Sequence, residues 1–214
     1  MIFKARDLLV RQKTQSINAL RGHMAEFGIV APNGPVHVSR LAQALEDPTV
    51  DLPAAAASLC RMLLSQIGAL SQQIALLDRE LLVRARRDDV ARRLMTIPGI
   101  GVICATAMEA LAPPPASFTK GRDFAAWLGL TPRQHSSGGK ARLGPTTKMG
   151  QRGLRRLLIC GAVALVRWAA RKGAPSGSWL AGMLARKPRM VVAVALGVQS
   201  RHLVDRVEDE SIRL

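Results

Sequence analysis

The sequence predicts a mainly α chain: a long helical hairpin or coiled coil followed by a compact helical domain. Three observations carry that prediction. Ala56, Cys60, Leu63, Ile67, Leu70, Ile74, Leu77 and Leu81 alternate steps of four and three, an a/d seam held over more than three heptads. Apolar residues recur at helical spacing again in the first 27 residues and in 153–172. No run alternates apolar and polar residues as a half-buried strand does.

The elements follow in chain order. Val10, Ile17, Leu20, Met24 and Phe27 give the first helix its apolar face, with Arg and Gln between them. Residues 28–53 hold four prolines and predict a loop with one short helix near Val38–Glu46. The heptad segment predicts a helix of about 30–40 residues, about 45–60 Å long. A helix of that length cannot bury its stripe alone. It packs on the first helix, on a second copy through the 56–81 heptads, or on both. Residues 1–92 therefore form one region and 93–214 the other.

In "LMTIPGIGVICATAMEAL" a helix stops before Pro98, since the residue preceding proline disfavours the α conformation. Gly99 and Gly101 permit a tight hairpin over 97–101, and a new helix starts near Val102. This is the shape of a helix-hairpin-helix, whose backbone N–H groups can meet a phosphate. Structural glycines at a helix corner give the same pattern. After "APPPAS" comes a short helix through Phe124, Trp127 and Leu128. A serine loop (135–147) precedes a basic helix (148–172). That helix turns Leu154, Leu157, Leu158, Val163 and Leu165 inward and Arg155, Arg156, Arg167 and Arg171 outward. A last helical region starts at Ser178 and is interrupted at Pro188.

Charge is unevenly placed. Formal net charge is +16 and the pI is about 11.4, so a polyanionic partner is expected. Residues 124–204 carry 14 of the 31 Lys and Arg and none of the 15 Asp and Glu. The polyanion surface therefore belongs to the C-terminal half. Aromatic residues make up 3% with no Tyr, which argues against base-stacking platforms and for phosphate contacts. Cys60, Cys104 and Cys160 are scattered in apolar patterns and read as reduced core thiols of a cytoplasmic protein. His23, His37, His135 and His202 are equally scattered, so no metal site is expected. The longest apolar run, 157–166, is about half of what a membrane span needs, and the polar N-terminus is no signal peptide.

The stretch "HSSGGKARLGPTTKMGQRGLRR" concentrates the chemistry. Gly138 and Gly139 allow positive φ and close approach to a ligand. Lys140, Arg142, Lys148, Arg152, Arg155 and Arg156 supply charge, the arginines in a fork that suits phosphate oxygens. Beside cations that stabilise a developing oxyanion, Ser136 or Ser137 can attack a phosphodiester. The plain alternative is a Ser/Gly loop with the serines as turn formers.

"IPGIGVICATAM" and "FAAWLGLTPRQHSSGGKARLGPTTKMGQRGLRRLL" resemble the C-terminal half of transposases of the insertion-sequence "one-ten" family, with its "one-sixteen" and "nine-oh-two" members, related to the Piv and MooV invertases. The upstream "ARDLLVRQKTQSINALRGHMAEFGIVAP" is similar to that family's central helical region. The resemblance runs to about Leu196. It implies a two-part recombinase, with an RNase H-like domain holding divalent metal on a DEDD acid quartet and a C-terminal transposase domain carrying a serine. That serine is expected to form a covalent phosphoserine link to DNA, in some members guided by a structured RNA. The matching position here is Ser137, with Ser136 second.

Two departures shape the expectation. No acid quartet is apparent: Asp7 is isolated, Glu46, Asp47 and Asp51 flank a proline loop, and Asp88 and Asp89 lie late in the heptad helix. The tail from about Gly197 turns acidic and leaves the family pattern. The chain thus reads as an N-terminally truncated transposase acting in DNA transposition and recombination. It would bind DNA and bear the serine, with no cofactor of its own and Mg²⁺ expected only with the missing acid domain. The alternative is a non-catalytic nucleic-acid-binding relic or regulator. A pure coiled-coil scaffold would leave the acid-free segment unexplained, and an independent helix-hairpin-helix repair factor the SSGGK block.

Overall fold

The computed structural model describes residues 1–140 and 142–198, and the divergent tail lies outside them. The chain is mainly helical, as expected. The helices are α1 (Ile2–Glu26), α2 (Val38–Glu46), α3 (Ala54–Arg87), α4 (Asp89–Met95), α5 (Val102–Leu111), α6 (Gly121–Trp127), α7 (Arg152–Lys172), α8 (Trp179–Arg186) and α9 (Arg189–Val198), with two short strands, β1 (Pro132–Gln134) and β2 (Leu143–Thr146), between α6 and α7. The chain divides into two compact units, Met1–Leu81 and Leu82–Leu214. The division falls within α3, where the sequence-based boundary is at 92.

In the first unit, α1, α2 and the first part of α3 enclose one core. Ile17, Leu20 and Met24 from α1, Leu41 and Leu45 from α2, and Cys60 and Ile67 from α3 are all buried in it. The predicted seam therefore faces inward, and Leu70 and Leu81 are buried too. An Arg6–Asp78 ion pair ties α1 to α3, with a second contact from Nη2 to Oδ2 at 3.3 Å. By length and composition α3 could cross a membrane, with a mean hydropathy of 1.2 over its most apolar 18 residues. Within the structure 17% of that stretch is buried. Phe27, expected inward, instead caps α1 and is 42% exposed, because Ile29 turns back to bond the Met24 carbonyl at 3.0 Å.

The long helix continues past Leu81 to Arg87 and stops short of Asp88 and Asp89, expected late in it. Asp88 takes an extended conformation and accepts a 2.6 Å bond from the Ala91 N–H, capping α4. An N-cap aspartate supplies one of the donors that every helix start leaves unpaired.

In the second unit, α7 is the spine, packing on α5 and α9, while α9 also meets α6 and α8. Ala162 and Val166 of α7 join Val192 and Ala193 of α9 in a buried core, flanked by Leu180, Met183 and Leu184 of α8. Two residues set the approach of α5 to α7. Gly99 has φ +89, and a Cβ there would lie 3.0 Å from the Gly161 carbonyl oxygen. A Cβ on Gly161 would lie 1.9 Å from the Gly99 oxygen, which no side chain tolerates. Backbone therefore meets backbone. Phe118, Phe124 and Trp127 form an aromatic cluster around α6, with Phe118 edge-on to Phe124 at 5.3 Å.

Cysteine placement corrects one expectation. Cys60 and Cys104 are buried, and burial pushes the Cys104 thiol up to about 12. Cys160 is exposed. The inward face of α7 runs through Leu154, Leu158, Ala162, Val166 and Ala169, which puts residue 160 on the opposite side.

Gly161→Ala and Gly182→Ala should have opposite signs although both lie inside helices. The first drives a methyl into the Gly99 carbonyl and should destabilise by about 1–3 kcal/mol or more. The second has only the Arg186 side chain near it, at 3.9 Å, and should stabilise by about 0.5–1 kcal/mol through helix propensity. Urea midpoints at fixed slope read both.

Candidate serine hairpin and nucleic-acid interface

No strand was expected, yet the serine stretch is a β-hairpin. β1 and β2 pair antiparallel, with Pro132 opposite Thr146, Gln134 opposite Leu143 and an irregularity between. Pro132, Gly144 and Pro145 are poor strand formers, so no alternating pattern announces these strands. The signal was the turn. Ser137 and Lys140 bridge across it, with the Lys140 N–H on the Ser137 carbonyl at 3.1 Å. Gly138 and Gly139 have φ +58 and +77. Positive φ at both central positions is the type I′ combination that matches strand twist, and Gly-Gly is one of its preferred pairs. One step down, the His135 N–H bonds the Arg142 carbonyl at 2.8 Å. The His135 ring lies over Gly144, where a Cβ would come within 2.8 Å of it.

The two serines differ. Ser136 Oγ accepts a 3.1 Å bond from the Arg142 N–H and donates weakly to Gln134 Oε1 at 3.4 Å, so it braces the hairpin. Ser137 sits at the turn, exposed, and its hydroxyl has no hydrogen-bond partner among the described residues.

The feet of the hairpin are built against α6. Gly129 (φ +72) ends that helix in a Schellman motif: its N–H bonds the Ala126 carbonyl and the Leu130 N–H bonds the Ala125 carbonyl, both at 2.9 Å. The returning arm then runs along the same corner. Thr147 N–H bonds the Thr131 carbonyl at 2.9 Å, Lys148 N–H the Gly129 carbonyl at 3.0 Å, and Gln151 N–H the Trp127 carbonyl at 3.3 Å. These bonds keep 148–151 out of the basic helix, which starts at Arg152. They also hold Lys148 at φ +56, uncommon for a residue with a Cβ. Gly150 has no room at all: a Cβ there would sit 1.9 Å from the Trp127 oxygen.

The predicted cations do not all share one environment. Lys140, Arg142, Lys148, Arg152 and Arg156 are exposed along the hairpin and the first turns of α7. Arg155 is half-buried, and its Nη1 donates to the Leu128 carbonyl at 2.8 Å and the Gly150 carbonyl at 3.5 Å. Of the two hairpin glycines upstream, Gly99 is held against α7. Gly101 is exposed, has φ −95 as the N-cap of α5, and a Cβ on it would meet nothing within 4 Å.

The acids are engaged locally. Asp7 pairs with Arg11 at 3.6 Å and Glu46 with Arg61 at 3.6 Å. The Thr49 hydroxyl and N–H hold the Asp47 carboxyl below its ordinary value, and Arg92 does the same for Asp89. Among the described residues no three of His, Cys, Asp and Glu come together as a metal site would require.

Sequence comparison converges on this region. Residues 91–175 match the transposase IS116/IS110/IS902 family. A relative from Pseudomonas aeruginosa described as a family 20 transposase is 40% identical over 203 residues, covering 94% of this chain and 60% of its own length. The transposase for insertion sequence element IS1328 of Yersinia enterocolitica is 37% identical over 196 residues, covering 91% and 58% respectively. The transposase for IS1111A of Coxiella burnetii is 30% identical over 204 residues, covering 95% and 56%. The chain spans just over half the length of these curated relatives. Residues 91–175 thus belong to the transposase IS116/IS110/IS902 family, and the similarity to these three transposases extends over 91–95% of the chain.

Proposed function

We propose that this chain serves in DNA transposition by binding DNA through its acid-free C-terminal half and presenting Ser137 as a nucleophile. The observation that carries the assignment is the contrast within the serine pair: Ser136 Oγ is spent on the Arg142 N–H, while Ser137 Oγ at the turn has no hydrogen-bond partner among the described residues. In the proposed step, Ser137 Oγ forms a bond to a DNA phosphorus as the bond to the leaving sugar oxygen breaks. The serine proton passes through water to that oxygen. The number of phosphoester bonds is conserved, and the charge gathering on the phosphate oxygens falls to Lys140 and Arg142.

DNA contact draws on the remaining exposed cations, Lys148, Arg152 and Arg156, at the positive end of α7, which has no acid in its first turn. Gly101 adds an open backbone at the start of α5, where a phosphate could approach the free N–H groups. A structured RNA would meet the same surface through the same charges. The Mg²⁺ that the family resemblance implies finds no fitting ligand set among the described residues, so no step is drawn through it.

Self-association along α3 completes the proposal. Its 56–81 seam is occupied by α1 and α2, but Leu59, Met62 and Leu76 form an outer stripe left 40–62% exposed. Sedimentation should give a multiple of the chain mass that drops to the monomer in Met62→Glu/Leu76→Glu. A monomeric wild type removes this part.

If roughly six phosphates are neutralised, log K for duplex DNA should fall against log salt with a slope of about −5. A slope near zero removes the polyanion surface. Arg152→Ala/Arg156→Ala should weaken unrelated sequences about equally, since phosphate contacts position without specifying.

For the nucleophile, the chain is mixed with a full-length relative lacking its own serine, given a nicked labelled substrate, quenched in detergent and run on a denaturing gel. An adduct lost in Ser137→Ala and kept in Ser136→Ala is expected. The reverse transfers the role to Ser136. Binding without any adduct leaves a non-catalytic DNA-binding protein.

A further inference from the structure

We infer that Arg155 is the clasp that fixes the feet of the serine hairpin, and not a phosphate contact; as a positioning role it rests on the Ser137 assignment. The neighbouring Arg156 is exposed, whereas Arg155 is half-buried and turned toward the chain's own backbone. The two carbonyls that Nη1 reaches belong to the two arms. Leu128 leads into β1 and Gly150 follows β2, so a single guanidinium spans the base of the hairpin. Space for it is made by glycine, since a Cβ on Gly129 would lie 2.8 Å from that same Nη1. The guanidinium also sits at the C-terminal end of α6, where carbonyl oxygens collect negative charge. A rigid, planar donor suits two carbonyls fixed at different angles; a flexible ammonium does not.

At the other end, the turn is closed by its own bonds, from the Lys140 N–H to the Ser137 carbonyl and from the Arg142 N–H to Ser136 Oγ. Those bonds shape the tip but do not aim it. Aim comes from the feet, where the Thr147, Lys148 and Gln151 N–H groups and Arg155 join the arms to the end of α6. Arg155 is the one side chain in that set, and it comes from α7, so it ties the direction of Ser137 to the helix that carries Arg152 and Arg156.

The test uses this chain as Arg155→Ala and Arg155→Lys, read by amide exchange, salt-dependent DNA binding and the adduct assay. The clasp predicts that the His135, Lys140 and Arg142 amides exchange about tenfold faster or more in both variants. Amides of α7 such as Val166 keep their protection, and the salt slope is unchanged. Millimolar methylguanidinium should restore hairpin protection and adduct yield in Arg155→Ala but not in Arg155→Lys, whose side chain fills the niche. If Arg155→Ala does not fold, Arg155→Lys carries the test alone through hairpin exchange and slope. A slope shallower by about 0.9 in Arg155→Ala with an unmoved hairpin makes Arg155 a phosphate contact and overturns the inference. Loss of α7 protection along with the hairpin in both variants makes it a general stability residue and overturns it too. Wild-type chain that gives no adduct while the exchange results hold sinks the Ser137 assignment and leaves the clasp standing.

Discussion

Contact of backbone with backbone along α7 is the constraint on which the second unit depends. At Gly161 the helix touches the Gly99 carbonyl so closely that a methyl group would overlap it. At Gly150, just ahead of the helix, the chain presses on Trp127 and Gly129 in the same way. Such contacts work like the small-residue interfaces of packed helices: removing side chains lets two main chains approach, and dispersion between them replaces interdigitation. They fix α7 at two points along its length. The α4–α5 turn meets it at one and the α6 corner at the other, so the open backbone of Gly101 and the hairpin bearing Ser137 are mounted on a common spine.

That mounting also answers an electrostatic difficulty. Residues 124–204 hold cations without a single acid, and like charges at this density repel one another when the chain is compact. Within this stretch three arginines donate to backbone carbonyls: Arg155 to Leu128 and Gly150, Arg171 to Arg167, and Arg186 to Gly182. Carbonyl oxygens accept hydrogen bonds without cancelling the formal charge. The field of the surface therefore survives folding, available to a polyanion, and binding one would relieve the repulsion and stabilise the folded state in the same step.

The helical plan was legible because its determinants are local. Periodicity placed the α3 seam, and prolines and glycines marked α2, the 97–101 hairpin and the start of α5. The misses were set by distant partners. Neither strand has an alternating pattern; they exist because Gly138 and Gly139 turn the chain and α6 receives both arms. Arg155 and Arg156 look alike in sequence, and which one turns inward is decided by carbonyls far along the chain. Cys160 is exposed within an apolar stretch, because an apolar neighbourhood in sequence is not a buried one in space. For the candidate site, SSGGK marks both serines alike, and that Ser136 Oγ accepts from the Arg142 N–H is visible only in the structure. Gly150 and Gly161 carry no local signature, since their tight contacts are with backbone distant in the sequence or around a corner of the chain.

The hairpin's two ends also differ in how far apart in the chain their partners lie. Its tip is closed by bonds between residues three and six apart, so it can form within microseconds from its own sequence. Its base is closed by Arg155 and Leu128, 27 residues apart, a contact that must await the arrival of α7. The serine turn is thus an early element in folding and its orientation a late one. A chain cut short before α7 would keep the loop and lose the contact at its base, which makes completion of that helix the event that anchors the hairpin.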